Sequence, residues 1–245
     1  MERDRRIDRF PYVVESFRVD RKGRIRPTTL INALFAAANR HGEARNFGST
    51  ESLGWVIARM AVRIERVPLQ RERLCIETWI RNLYHGFTDR CVRVVDEEGR
   101  EVASMITTLA MIDLKTRTSV DLNGDIGLRI NECMLPDEEL SIKRIPAINR
   151  TPVDEVTFRH TPQYSDIDIN GHMNSIRYLE HILDAFPIDY IDSHDLKEVV
   201  VAYIKEGDAT EQLSYGIKEL STDHYIVQVT KENGVVAVRC EMKFA

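Results

Sequence analysis

Two distant stretches of this sequence share one grammar. Val92-Arg-Val-Val-Asp-Glu-Glu-Gly99 leads into Arg100-Glu-Val-Ala103, and Val227-Gln-Val-Thr-Lys-Glu-Asn-Gly234 leads into Val235-Val-Ala-Val238. Each reads as strand, polar turn, strand, with a glycine supplying the positive φ that a tight hairpin needs. Both second strands run on into alternating segments, Ser104–Asp113 and Val238–Phe244. Upstream, Leu53–Val67 and Leu196–Glu206 are β-branched and partly alternating. Each is preceded by a segment of helical period. In Thr28–Arg45 the apolar positions are Leu30, Ala33, Leu34, Ala37 and Ala38; in Asn174–Ala185 they are Ile176, Leu179, Ile182 and Leu183. Pro27 sits just before the first helix and Pro187 is expected to stop the second.

The spacing therefore predicts an α+β repeat, each half a long helix wrapped by an antiparallel sheet. A hotdog domain would show such a pattern, here written twice, but periodicity alone reaches only two α+β repeats and the name waits on a motif. Residues 1–135 form the first half, 153–245 the second, and 136–152, with Pro136, Pro146, Pro152 and the acidic Asp137-Glu-Glu139, read as a linker. At 245 residues there is length enough for two cores. A net charge of -5 argues against general nucleic-acid binding, which needs a basic face. The first nine residues carry seven charges where a signal peptide needs an apolar run, and no stretch is long and apolar enough for a bilayer. Cys75, Cys91, Cys133 and Cys240 are widely spaced, without the pairing of a zinc site or a disulfide framework. A cytoplasmic protein with reduced thiols, no metal and no cofactor is expected.

The densest group of chemically capable side chains is Tyr164-Ser-Asp-Ile-Asp-Ile-Asn-Gly-His-Met-Asn-Ser-Ile-Arg-Tyr178. It places Asp168, Asn170 and His172 at the entry of the second helix, where free amides and the helix dipole favour developing negative charge. Gly171 allows close approach of the backbone to a ligand. Asp and Asn here also suit plain helix capping, and spacing alone does not separate the two readings. A calcium loop is excluded because no glutamate follows at the required position.

The same stretch resembles the signature of the acyl-ACP thioesterases, a double-hotdog family of plant plastids and bacteria. Leu53-Gly-Trp-Val-Ile-Ala-Arg-Met60, Ile64-Glu-Arg-Val-Pro68 and Ile76-Glu-Thr-Trp79 resemble the family's first domain in order and spacing. Val199–Gly207 resembles the segment carrying its glutamate. The resemblance implies hydrolysis of fatty acyl-ACP to free fatty acid, ending fatty acid synthesis. It places the family's catalytic residues on Asp168, Asn170, His172 and Glu206, with the amides of Gly171, His172 and Met173 as an oxyanion hole. Many plant members carry a cysteine after the glutamate. Gly207 stands there in this chain, which argues against a thiol nucleophile.

The first half has Gly23, Arg24, Ile25, Arg26 and Pro27 before its helix and is expected to be catalytically silent, walling an acyl pocket. Trp55 and Met60 are candidates for that wall as well as for the core. The other histidines, His41, His85, His160, His181, His194 and His224, lie outside the motif and read as surface or capping residues. Acyl carrier protein is the expected partner, and since it is acidic, the basic run Arg18, Arg21, Lys22, Arg24 and Arg26 is a candidate docking patch. A homodimer is left open. Two alternatives stand beside this reading: an acyl-CoA thioesterase, and a non-catalytic acyl-binding hotdog protein.

Overall fold

Proline can open a helix because the missing N–H would have no partner in the first turn. In a computed structural model describing residues 4–48, 50–122 and 124–245, Pro27 does so for α1 (Pro27–Ala44). The helix ends where Asn46 takes a left-handed φ of 52°, and the Phe47 amide folds back onto the Gly42 carbonyl at 3.0 Å. Leu30, Ile31, Leu34, Ala37, Ala38 and His41 make its buried face.

That face lies on an antiparallel sheet of β1 (Asp8–Val13), β2 (Leu53–Ile64), β3 (Arg73–Tyr84), β4 (Phe87–Val95) and β5 (Glu101–Asp113). The strands pair in the order β1-β3-β4-β5-β2. The β4–β5 turn closes as the sequence expects, with Gly99 at φ 78° and the Asp96 carboxylate accepting the amides of Glu98 and Arg100. A second helix, α2 (Asp125–Glu132), which the periodicity did not separate, packs Ile130 against Phe47, Ile80 and Met111. One compact unit ends at Ile145 and the next begins at Pro146. Leu140 is buried against Trp79, Cys91 and Ile106, with Leu135, Ile142 and Ile145 beside it. Much of the proline-bracketed stretch therefore lies on the first sheet.

Ile80, Arg90, Thr107 and Met60 are register partners across four strands and share one sheet face. Arg90 donates to the Ala38 carbonyl of α1, lies 3.4 Å from His41 Nδ1 and sits over the Phe47 ring. His41 is thus fully buried, at 0% exposure, and not the surface or capping residue its sequence context suggested. Burial first, and the Arg90 charge second, push its pKa down to about 3.

The second unit repeats the plan. Its strands are β6 (Phe158–His160), β7 (Leu196–Tyr203), β8 (Leu213–Ser221), β9 (His224–Lys231) and β10 (Val236–Phe244), in the order β7-β10-β9-β8-β6. Gly234, at φ 80°, turns the β9–β10 hairpin. The helix α3 (Ser175–Asp184) buries Ile176, Tyr178, Leu179 and Ile182. It ends before Pro187, which serves as the N-cap of a further helix, α4 (Ile188–Ser193). Pro187 starts an element as well as following one.

Candidate active site

The chain between β6 and α3 folds into a closed loop. The Asn174 amide donates to the Asp166 carbonyl at 2.7 Å, and the Asp168 amide to the His172 carbonyl at 2.8 Å. Ile167 bridges Met173. Gly171 turns the tip at φ 79°, with its amide on the Asp168 carbonyl at 3.0 Å. Asp168 Oδ1 accepts the amides of Asn170 (2.8 Å) and His172 (3.2 Å). Asn174 then caps α3 by accepting the Ile176 amide.

Asp168, Asn170 and His172 thus share one loop, and Glu206 joins them from beyond β7. The Met173 amide donates to the Gly207 carbonyl at 3.0 Å, and His172 bridges Asp208. These contacts bring Glu206 Oε2 to 3.7 Å from His172 Nε2, with the two side chains 44% and 25% exposed. His172 Nδ1 is buried, so Nε2 is the nitrogen that can exchange a proton. Asp168 Oδ2 meets Asn170 Nδ2 only at 3.5 Å, leaving that oxygen available for proton transfer.

The three amides expected to form an oxyanion hole each already have an acceptor. The Gly171 amide is held by the Asp168 carbonyl, the His172 amide by Asp168 Oδ1 and the Met173 amide by Gly207. All three are engaged in closing the loop, while the Asn170 side chain is exposed at its tip. Gly207 also has a packing reason. A Cβ there would stand 2.5 Å from the Tyr178 hydroxyl, so the position has no room for cysteine while Tyr178 stays in place. Cys91, Cys133 and Cys240 are buried and Cys75 is half-buried.

Sequence reasoning missed a second constellation beside the loop. The Asp166 carboxylate, 2% exposed, accepts His160 Nε2 at 2.7 Å, the Gln163 amide at 2.7 Å and His181 Nε2 at 2.9 Å. Two histidines read as surface or capping residues therefore have a carboxylate partner. So do His194, 3.7 Å from Asp223, and His224, 2.7 Å from Glu241. Burial pushes the Asp166 carboxyl up, but the Gln163 amide and the two imidazoles together hold it below its ordinary value. Among the described residues, His160, Asp166 and His181 also form the one group of three ligand-type atoms lying within 4.8 Å of each other.

The first unit builds the same loop from other residues. The Arg26 amide donates to the Arg18 carbonyl, the Asp20 amide to Arg24 and the Gly23 amide to Asp20. Val19 bridges Ile25, Gly23 has φ 74°, and Asp20 Oδ1 accepts the amides of Lys22 and Arg24. The Ile25 amide reaches Pro68 and Arg24 bridges Leu69. Position by position, Asp20 answers to Asp168, Lys22 to Asn170, Arg24 to His172 and Val67 to Glu206. The shared spacing of Asp20 to Gly23 and Asp168 to Gly171 was the signal available in the sequence. Arg24 is tied to Asp20 at 2.8 Å, whereas Arg18, Arg21, Lys22 and Arg26 are exposed. Trp55 donates to the Phe47 carbonyl at 3.0 Å, and Met60 is fully buried in the same unit.

Two hotdog units in one chain, with the Asp/Asn/His loop and its glutamate in the second only, define a tandem hotdog of the thioesterase kind. Comparison with known proteins sharpens this. Models of the acyl-ACP thioesterase N-terminal and C-terminal domains match residues 8–129 and 151–245, and the chain belongs to the acyl-ACP thioesterase family. The crystal structure of an acyl-ACP thioesterase from Bacteroides thetaiotaomicron is 34% identical, with a TM-score of 0.88 over 98% of both chains. The 12:0-ACP thioesterase of Umbellularia californica shares the fold at 18% identity, with a TM-score of 0.85 over 100% of this chain and 99% of that one. Dodecanoyl-[acyl-carrier-protein] hydrolase of Cinnamomum camphora, a chloroplastic protein, is 26% identical over 82% of this chain and 56% of its own length. The chain spans about half the length of the curated relatives it matches. No helix among the described residues is long and apolar enough to cross a membrane.

Proposed function

We propose that this protein hydrolyses fatty acyl-ACP to free fatty acid and ACP, ending fatty acid synthesis in the cytoplasm. The observation that carries the reading is the convergence of Glu206 on the Asp168–Asn170–His172 loop, with His172 Nε2 turned toward Glu206. Water attacks the thioester carbonyl and gives its proton to Asp168 Oδ2. The Asn170 carboxamide donates to the carbonyl oxygen as negative charge develops there. The C–S bond breaks, and the leaving sulfur takes a proton from His172 Nε2, whose cationic form Glu206 balances. Exchange with solvent returns the proton from Asp168 to His172.

The first unit is silent because Lys22, Arg24 and Val67 stand where the second has Asn170, His172 and Glu206, and because Arg24 neutralises Asp20. It walls the acyl pocket through Trp55 and Met60. The basic run Arg18, Arg21, Lys22, Arg24 and Arg26 meets the acidic carrier, with Arg24 also paired to Asp20 in the loop. Residues 1–135 are the silent domain and 153–245 the catalytic one; 136–152 connects them, its part up to Ile145 belonging to the first compact unit. Cys91, Cys133 and Cys240, buried thiols without a disulfide, suit a reducing compartment. The test is hydrolysis of matched acyl-ACP and acyl-CoA panels by the wild type and by Asp168→Asn and Glu206→Gln. Turnover of acyl-ACP lost in both variants supports the assignment. Equal or better turnover of acyl-CoA would move it to the other carrier.

A further inference from the structure

We propose that His160, Asp166 and His181 form a positioning clamp that fixes the base of the loop carrying Asp168, Asn170 and His172; this rests on that loop being catalytic. The three groups come from three elements: His160 from β6, Asp166 from the 3-10 turn Tyr164–Asp166 and His181 from α3. A buried carboxylate is strongly disfavoured unless its lone pairs are filled. Here three donors fill them, two of them imidazoles whose rings lie 3.9 Å apart. Each shared bond therefore ties strand, turn and helix to one point.

That point is the base of the loop. Asp166 supplies the carbonyl that takes the Asn174 amide, and it stands two residues before Asp168. The linkage continues on the far side of His181, which meets the Tyr215 ring edge-on. The Tyr215 hydroxyl in turn lies 3.9 Å from Met173 Sδ, so Met173 of the loop is contacted as well.

The first unit shows what the clamp is for. Its loop closes with the same backbone bonds, yet the residue answering to Asp166 is Arg18, which is exposed. The loop fold needs no buried carboxylate held by two histidines. The clamp occurs in the unit where the position of side chains on the loop decides a rate, and misplacement of a reacting group by about 1 Å can cost on the order of 10²-fold.

The experiment is steady-state hydrolysis of acyl-ACP by His160→Ala, His181→Ala, His160→Gln, His181→Gln and Asp166→Asn, each with its melting temperature. In the alanine and asparagine variants kcat should fall about tenfold or more, with KM within about twofold. In the glutamine variants a carboxamide N–H can still reach Asp166, and kcat should return to within about threefold of wild type. Alanine variants within about twofold of wild-type kcat would overturn the clamp. So would glutamine variants that regain the melting temperature but not kcat, since the restored bond would then not be what sets turnover. Where an alanine variant does not fold, the glutamine variant decides by the same threshold. Loss of wild-type turnover on dialysis against EDTA, restored by Zn²⁺, would replace the clamp with a metal centre. Wild-type turnover abolished by Asp168→Asn keeps the hydrolase reading intact whatever the clamp variants do. A wild type that hydrolyses no acyl thioester overturns both.

Discussion

His41 offers a quantitative test of the first core. Its ring is fully buried between the Arg90 guanidinium and the edge of Phe47, and its pKa lies at about 3, whereas an unfolded histidine titrates near 6.5. Between those values the unfolded chain binds a proton that the native chain does not. Stability is therefore fully present above about pH 6.5 and is lost progressively as pH falls toward about 3. Each pH unit inside that window is worth about 1.4 kcal/mol, so acidification from about pH 6.5 to 4.5 should remove about 3 kcal/mol through this residue alone. Other groups titrate over the same range, and His41→Leu isolates the contribution. Urea unfolding of both proteins at pH 7 and pH 4.5 should show the wild type's advantage over the variant shrinking by about 3 kcal/mol. An advantage constant to within about 0.5 kcal/mol would mean that His41 is charged in the fold or reaches water, and would refute the reasoning.

Asp168→Asn should lower kcat by about 10²–10⁴-fold while the melting temperature stays near wild type, because the amide oxygen can still accept the loop amides; near-normal kcat would reject Asp168 as the base. Replacing all four cysteines with Ser or Ala should leave turnover largely intact in a folded variant, since burial lifts the Cys91 thiol to about 12 and pushes Cys240 up as well; inactivation by one replacement would reopen a thiol mechanism. Gly207→Cys should push Tyr178 away from its place against the backbone and reduce kcat about tenfold, with Tyr178→Phe in the same chain restoring most of it; kinetics show whether the space matters. Charge reversal at Arg18, Arg21, Lys22 and Arg26 should lower kcat/KM for acyl-ACP and flatten its salt dependence, leaving a small acyl thioester nearly unaffected; equal losses on both would assign the run to folding.

Local chemistry wrote much of this molecule into its sequence. The two hairpin glycines, the paired helix periods and the alternating strands specify the doubled α+β plan, because side-chain period and positive φ are properties of neighbours along the chain. The Asp168–Asn170–His172 loop was legible for the same reason, as was its likeness to a family. What sequence distance hides was decided by the fold. Asp166 lies six residues from His160 and fifteen from His181, and no periodicity announces that a strand, a turn and a helix will meet on one carboxylate. The free amides assigned to an oxyanion hole depended on which carbonyls the loop would bring to them. His41 looked like any polar residue late in a helix until β4 placed Arg90 beneath it. The second loop, from Arg18 to Arg26, reads along the chain as a basic run. Backbone hydrogen bonds between residues apart in sequence show it to be the counterpart of the Asp168–Asn170–His172 loop, with Arg24 closing on Asp20.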